Sequence, residues 1–223
     1  MKPKAEMLNR KASDQRNKPA TVYWLDDKLY LNITNKCSNH CLFCIRNFQA
    51  GVGGFILKLP EEPSIDRIII DLEEVSNTKN WTEVVFCGFG EPTERLDCLL
   101  EIARWLRRRY GESLHIRVNT NGQGHLINLG RQVAKELKEA GVNKLSISIN
   151  AHNKSMYNEV CRPKLENAYK AVLEFIELAK QEIETEITAV IIPEVNIQKV
   201  EKLAQEKGVN FRKRPFNKPY IQS

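Results

Sequence analysis

The sequence predicts an α/β fold, an incomplete (β/α)6 partial barrel of parallel strands. Three observations predict it. From residue 28 to residue 214 short β-rich runs alternate with longer segments of helical period, and such alternation implies parallel pairing through right-handed crossovers. Six such units fall short of the eight that close a full barrel, which leaves an open doubly wound sheet as the competing arrangement. Strand parity favours the partial barrel. Over 144–150, Leu145, Ile147 and Ile149 share one face while Ser146, Ser148 and Asn150 share the other; over 115–121, Arg117, Asn119 and Asn121 oppose Ile116 and Val118. Crossover helices cover the apolar face, so the polar set lines a wet interior. An exposed antiparallel sheet would show the same alternation, but the helices between the strands speak against it.

The elements follow in order. Residues 1–20 read as a basic arm, with six basic against two acidic groups. Strands are expected over 28–34, 83–86, 115–120, 144–150, 185–192 and 209–214, and helices over 64–75, 96–110, 130–140, 166–181 and 196–207. Gly111, Gly141 and Gly208 stop three of the helices, the position helix ends favour for glycine. The Gly51–Val52–Gly53–Gly54 stretch reads as a flexible turn, with an anion nest as the alternative; it lacks the Gly-Lys-Ser/Thr that completes a phosphate-binding loop.

At 223 residues the chain suits one domain over 21–215, with 216–223 as a tail. Hydrophobic residues make up 42% and charged residues 28%, and no apolar run approaches a membrane span, which excludes disorder and a spanning protein. No apolar segment of the secretory kind lies in 1–20, so a cytoplasmic protein is expected. The net charge of +6 sits at the ends: Arg212, Lys213, Arg214 and Lys218 form a second basic cluster with no acid over 209–223. Solvated tails are the simpler reading of these ends, and docking on nucleic acid is the alternative.

Six cysteines are present, of which Cys37, Cys41 and Cys44 fall within eight residues while Cys87, Cys98 and Cys161 are scattered. That spacing is no disulfide framework. Three thiolates on one loop can hold three irons of a [4Fe–4S] cluster and leave the fourth iron open to chemistry. A zinc site needs a fourth ligand: His40 is adjacent to Cys41 and poorly placed to share its metal, and Cys87, from another strand end, keeps zinc as the alternative. Cys98 falls in step with Ile102 and Trp105 and reads as core. His115, His125 and His152 lack ligand spacing.

With Phe43 just before the third cysteine, this run resembles the hallmark of the radical S-adenosylmethionine (radical SAM) superfamily. Cys87-Gly88-Phe89-Gly90-Glu91-Pro92 resembles that superfamily's Gly-Gly-Glu-Pro box, departing from it where Phe89 separates Gly88 from Gly90. The resemblance implies that Glu91 and the main chain of Gly88 and Gly90 hold the methionyl amino group; a carboxylate pairs with an ammonium, and glycine admits close approach. Asn119-Thr120-Asn121-Gly122 resembles the ribose-contacting segment, Ser148 and Asn150 end the next strand on the same rim, and an adenine contact would fall on the backbone of 190–193. From Val22 to Arg214 the order of motifs is similar to that of the TatD family-associated radical SAM proteins, through Tyr30 to Asn35, the cysteines with Ile45 and Arg46, residues 51–54, the box over 86–92, and residues 158–163 with Cys161 and Arg162.

What the resemblance implies is a radical SAM-type partial barrel that binds a [4Fe–4S] cluster and S-adenosyl-L-methionine. Such a protein cleaves the cofactor to a 5′-deoxyadenosyl radical, with a reductant such as flavodoxin or ferredoxin, a small polar substrate or nucleic acid, and a possible TatD-type nuclease association. A glycyl-radical activase or a 7-carboxy-7-deazaguanine synthase-like enzyme are alternatives within the class. A non-catalytic zinc or Fe–S module docking on nucleic acid is the alternative outside it. No catalytic residue is singled out. Parity alone points Arg117 into the lumen, where it would grip a substrate carboxylate or phosphate unless it pairs with Glu83 or Glu186. Cys161 is the second candidate for contact with substrate.

Overall fold

Runs rich in Val, Ile, Thr and aromatic residues form the strands of the computed structural model, which describes residues 18–216. The strands are β1 (Val22–Leu25), β2 (Lys28–Leu31), β3 (Gly51–Val52), β4 (Phe55–Ile56), β5 (Glu83–Phe86), β6 (His115–Thr120), β7 (Lys144–Ser148), β8 (Glu184–Val190) and β9 (Asn210–Arg214). The helices are α1 (Ile65–Ser76), α2 (Leu96–Tyr110), α3 (Gly124–Ile127), α4 (Val133–Glu139), α5 (Lys154–Cys161), α6 (Ala168–Glu182) and α7 (Ile197–Glu206). One seven-stranded sheet runs β1-β2-β5-β6-β7-β8-β9. Its last six strands pair in parallel, in chain order, as the partial barrel requires.

Several elements differ from the expectation. β1 adds an antiparallel edge to β2 through a turn at Asp26, whose φ of 55° is left-handed. The 51–54 stretch is the hairpin of β3 and β4, turned by Gly53 and Gly54. α3 and α5 are short, and a helix of two turns is marginal by itself, so its sequence carries little signal; α5 is held by Asn153, whose side chain accepts from the Met156 N–H. The strands expected over 28–34 and 144–150 stop at Leu31 and Ser148, where the chain leaves the sheet to build the rim.

The core lies between sheet and helices. Ile116 and Val118 of β6 and Leu145 and Ile147 of β7 are fully buried with Leu99, Ile102 and Leu106 of α2 and Phe175 and Ile176 of α6. α2 presents these at helical spacing and turns its polar residues outward. The inner face is closed at its base by ion pairs. Arg117 donates through Nε and Nη2 to the two oxygens of Glu83, each at 2.9 Å, and through Nη1 to Asn119 Oδ1 at 3.0 Å. Glu83 also meets Lys28 at 3.0 Å. On the far side Glu186 accepts from Arg212 at 2.8 Å and Ser146 at 2.7 Å, and meets Lys144 at 3.1 Å.

Arg117 is therefore inward, as parity implies, but saturated by Glu83 and Asn119; the substrate role expected for it is corrected to a brace of the barrel floor. Burial pushes the Glu186 carboxyl up, yet Arg212, Ser146 and Lys144 outweigh that and hold it at about 2. A carboxyl depressed on folding stabilises the protein above its unfolded value of 4.5, and that contribution is lost as the pH falls toward 2. Glu186→Gln should accordingly flatten the acid limb of the stability curve between those values, measured by denaturant unfolding across pH; an unchanged limb would remove Glu186 from the floor's ion-pair energetics.

The boundaries also move. Pro19 bridges Ile56, the Ala20 N–H donates to the Ile56 carbonyl at 2.8 Å, and Thr21 Oγ1 donates to Asp71, so residues 19 and 20 belong to the body rather than to an arm. Arg212 and Arg214 lie on the inner face of β9, where each bonds to β7 or β8, and are not tail residues. Phe216 meets Phe48 edge to face at 5.8 Å. The remainder of the expected arm, 1–17, and of the tail, 217–223 with Lys218, lies outside the described residues. No helix among the described residues is long and apolar enough to cross a membrane.

Candidate functional site

The cysteine loop leaves the end of β2 and is stitched to the end of α5. The His40 N–H donates to the carbonyls of Cys161 and Arg162, each at 3.1 Å, the Leu42 N–H to Val160 at 2.9 Å, and the Lys164 N–H to Ser38 at 2.8 Å. Arg162 at φ 45° turns the chain so that Lys164 Nζ reaches the Cys37 carbonyl at 2.8 Å. Beneath the loop lies a buried polar network. Gln123 Nε2 donates to Asn39 Oδ1 at 2.7 Å and to the Tyr157 hydroxyl at 2.8 Å, and Asn121 Nδ2 donates to Ser38 Oγ at 2.8 Å. Buried amides with partners on three separate elements hold a loop in one arrangement. Asn39, Gln123 and Tyr157 escaped the sequence reading; each is an ordinary polar residue until the fold brings 39, 123 and 157 together.

Gly88 and Gly90 are pressed against the segment that leads to Cys37. A Cβ on Gly88 would lie 2.2 Å from Asn32 Oδ1, and one on Gly90 would lie 2.3 Å from the Lys36 carbonyl oxygen. Asn32 Oδ1 accepts from the Phe89 N–H at 2.9 Å, and the Lys36 carbonyl accepts from the Glu91 N–H at 2.8 Å. The glycines thus dock the box on the segment that runs from β2 to the cysteines. Glu91 is buried, and its Oε1 accepts from the Thr93 N–H and hydroxyl and from the Thr120 hydroxyl. Its Oε2 accepts the Asn121 N–H at 2.6 Å and keeps capacity for one more donor. Burial raises the Glu91 carboxyl while these donors pull it down.

All of this surrounds one cavity of about 320 Å³, within the size range of small-molecule sites. Cys37, Cys41 and Cys44 open on it, as do all eight residues expected to hold cofactor: Phe43, Gly88, Gly90, Glu91, Asn119, Asn121, Ser148 and Asn150. Asn121 spends its side chain on Ser38 and Gln123, whereas Asn119 Nδ2 has no acceptor among the described residues. Asn150, at φ 55°, caps the rim by accepting the Val190 N–H at 3.0 Å. Cys87 also lines the cavity, and Cys98 is buried in the core. Cys161 is fully buried and absent from the cavity wall, so its expected contact with substrate is corrected: it lies beneath Cys41.

Burial pushes the Cys37 thiol up to about 12, with the Glu91 charge adding to it, and burial raises Cys44 as well. Cys41 is raised by its hydrogen bond with Cys161 and by burial. A metal takes such thiols as thiolates and displaces their protons. Among the described residues no three His, Cys, Asp or Glu side chains converge to hold a single ion. A cube of four irons takes each thiolate on its own iron and needs no such convergence. Three thiols spaced around one cavity fit the cluster.

A parallel partial barrel with three loop cysteines on the rim beside a glycine-acid box defines the class of the S-adenosylmethionine radical enzymes. Residues 31–206 match the Radical SAM superfamily, and the chain belongs to it. It is 30% identical over 142 residues to the GTP 3′,8-cyclase of Limosilactobacillus fermentum, covering 62% of this chain and 38% of that one. The chain thus spans under two-fifths of the length of the curated relatives it matches first. Among solved structures it is similar to methylornithine synthase (PylB), with a TM-score of 0.60, 15% identity and coverage of 95% of this chain and 59% of that one. It is also similar to Streptococcus suis SuiB bound to S-adenosylmethionine, at 0.61, 16%, 97% and 46%. Family and relatives mark this chain as an enzyme domain.

Proposed function

We propose that the protein binds a [4Fe–4S] cluster through Cys37, Cys41 and Cys44 and S-adenosylmethionine beside it, and acts on a small polar substrate in the same cavity. The single observation that carries this reading is the convergence of the three thiols with Glu91, Asn119 and Ser148 on one cavity. When bound, the cluster and cofactor supply a one-electron C–S cleavage that yields methionine and a 5′-deoxyadenosyl radical able to abstract hydrogen. The chain's own residues do the rest. Glu91 Oε2 offers a carboxylate to the methionyl ammonium, and Asn119 Nδ2 a free donor to the ribose. Phe43, Phe48, Val52 and Phe216 wall the cavity with apolar surface that keeps water from a reactive intermediate.

A reductant such as flavodoxin or ferredoxin, cytoplasmic residence and membership of the TatD family-associated group complete the proposal. The motif order over 22–214 supports the last. The names of the relatives make a nucleotide one candidate substrate. Of the cations that suggested nucleic-acid docking, Arg212 and Arg214 are turned inward, while those of 1–17 and Lys218 lie outside the described residues.

The test is anaerobic incubation with dithionite and S-adenosylmethionine, which should release 5′-deoxyadenosine slowly without added substrate; no release from iron-loaded protein would overturn the reading. Glu91→Gln should weaken cofactor binding by about 1–3 kcal/mol, the range for a hydrogen bond to a charged group. Equilibrium dialysis measures it, and wild-type affinity would remove Glu91 from the site.

A further inference from the structure

Every carboxylate on the inner face of the barrel is engaged. Glu83 holds Arg117 and Lys28, Glu186 holds Arg212 and Lys144, and Glu91 holds the β6 rim. One cation on that face has no such partner among the described residues. Arg214, at the end of β9, lines the cavity that the three cysteines share. Its Nη2 donates to the Ser148 hydroxyl at 3.1 Å, and its Nε is buried with no acceptor among the described residues.

The register shows why. Arg212 sits opposite Thr188 and leans back to the β8 residue two positions earlier, Glu186, with Ser146 of β7 completing the layer. Arg214 sits opposite Val190 and leans the same way, toward Ser148; the β8 residue two positions earlier is Thr188, which shares its hydroxyl with Ser148 at 3.3 Å. The upper layer repeats the lower one with threonine where the carboxylate stood. Burial, with the Arg212 charge on the same strand adding to it, accordingly holds the Arg214 guanidinium below its ordinary value. An uncompensated cation costs stability unless a ligand completes it, and a planar guanidinium is the side chain best matched to a carboxylate or phosphate.

We propose that Arg214 grips an oxyanion group of the substrate, a carboxylate or a phosphate, against the β7–β9 wall of the cavity. This rests on the radical-enzyme reading and names the substrate class for it. The role that parity suggested for Arg117 on β6 belongs to Arg214, three strands along on β9, which has no acid partner among the described residues.

The experiment titrates anaerobically purified protein by calorimetry with inorganic phosphate and with acetate at fixed ionic strength. Wild type should bind at least one of them saturably at one site, and the tighter of the two tells phosphate from carboxylate. Arg214→Gln should weaken that binding at least ten-fold while leaving iron content and cofactor affinity unchanged, and without lowering the melting temperature. Lys213→Gln removes the same charge from the same strand but on the outer face, beside Glu201, and should bind as wild type does. Thr188→Glu restores the missing carboxylate and should abolish anion binding with Arg214 still present. Absence of saturable binding, an equal loss in Lys213→Gln, or a loss of iron or of cofactor affinity in Arg214→Gln would each overturn the assignment; a loss of cofactor affinity would give the guanidinium to the cofactor's own carboxylate. Failure of wild type to release 5′-deoxyadenosine would strike the reading of the reaction alone, since the anion titration is read separately.

Discussion

Changing any one of Cys37, Cys41 or Cys44 to Ala is expected to reduce the iron of the anaerobically purified protein from about four atoms per chain to nearly none. Each thiol opens on the same cavity, and each would hold a separate iron, so no two can retain the cube against loss of the third. Cys87 also lines that cavity, but it enters from the end of β5 rather than from the loop, and Cys87→Ala should keep the cluster. Cys98→Ala should keep it as well, because Cys98 is buried among Leu99 and Ile102 on the far side of the sheet. Iron and sulfide analysis with the visible absorption of the cluster decides the matter. Full iron in a loop-cysteine variant, or tightly bound zinc without iron in the wild type, would sink the site as drawn.

Gly90→Ala is expected to cost nearly as much without touching a cysteine. The added Cβ would stand 2.3 Å from the Lys36 oxygen, 2.6 Å from the Thr34 oxygen and 2.8 Å from the Asn35 carbonyl carbon. All three are main-chain atoms of the segment that runs into Cys37, and backbone cannot swing aside as the tip of a side chain can. Relief comes only by moving that segment, which breaks the Glu91 N–H bond to Lys36 and displaces the cysteine loop. Overpacking of this kind costs about 1–3 kcal/mol in an ordinary core. Here the same displacement should also strip the cluster, so a lowered melting temperature and lowered iron are expected together. A variant with wild-type iron and melting temperature would show that the box does not position the loop.

Much of the fold was legible because burial imposes a period. Leu145, Ile147 and Ile149 alternate with Ser146, Ser148 and Asn150 whether or not the structure is known, and the alternation holds in the sheet as far as Ser148, where β7 ends. α2 was legible for the same reason, its buried residues falling on one stripe that ends at Gly111. The antiparallel edge β1 and the two-turn α5 were not, since neither is long enough for a period to rise above the local composition. The box glycines were marked by the resemblance as main chain open to a ligand; that the Asn32–Lys36 segment also presses against them appears only when β2 and β5 are paired.

By itself, then, the sequence determined the order of the six parallel strands and the longer helices, the inward face of β6 and β7, and the loop of three thiols, because these depend on chain-local period and spacing. Only the tertiary structure decided which inner cation is satisfied and which is open. Parity placed Arg117 on an inner face and left Arg214 among the basic C-terminal residues, but a charge is neutralised by what stands beside it across strands: Glu83, 34 residues earlier, for Arg117, and for Arg214, inward on β9, a threonine in the place where Arg212 has Glu186. That pairing is set by the register between strands far apart in the chain, and no local pattern carries it.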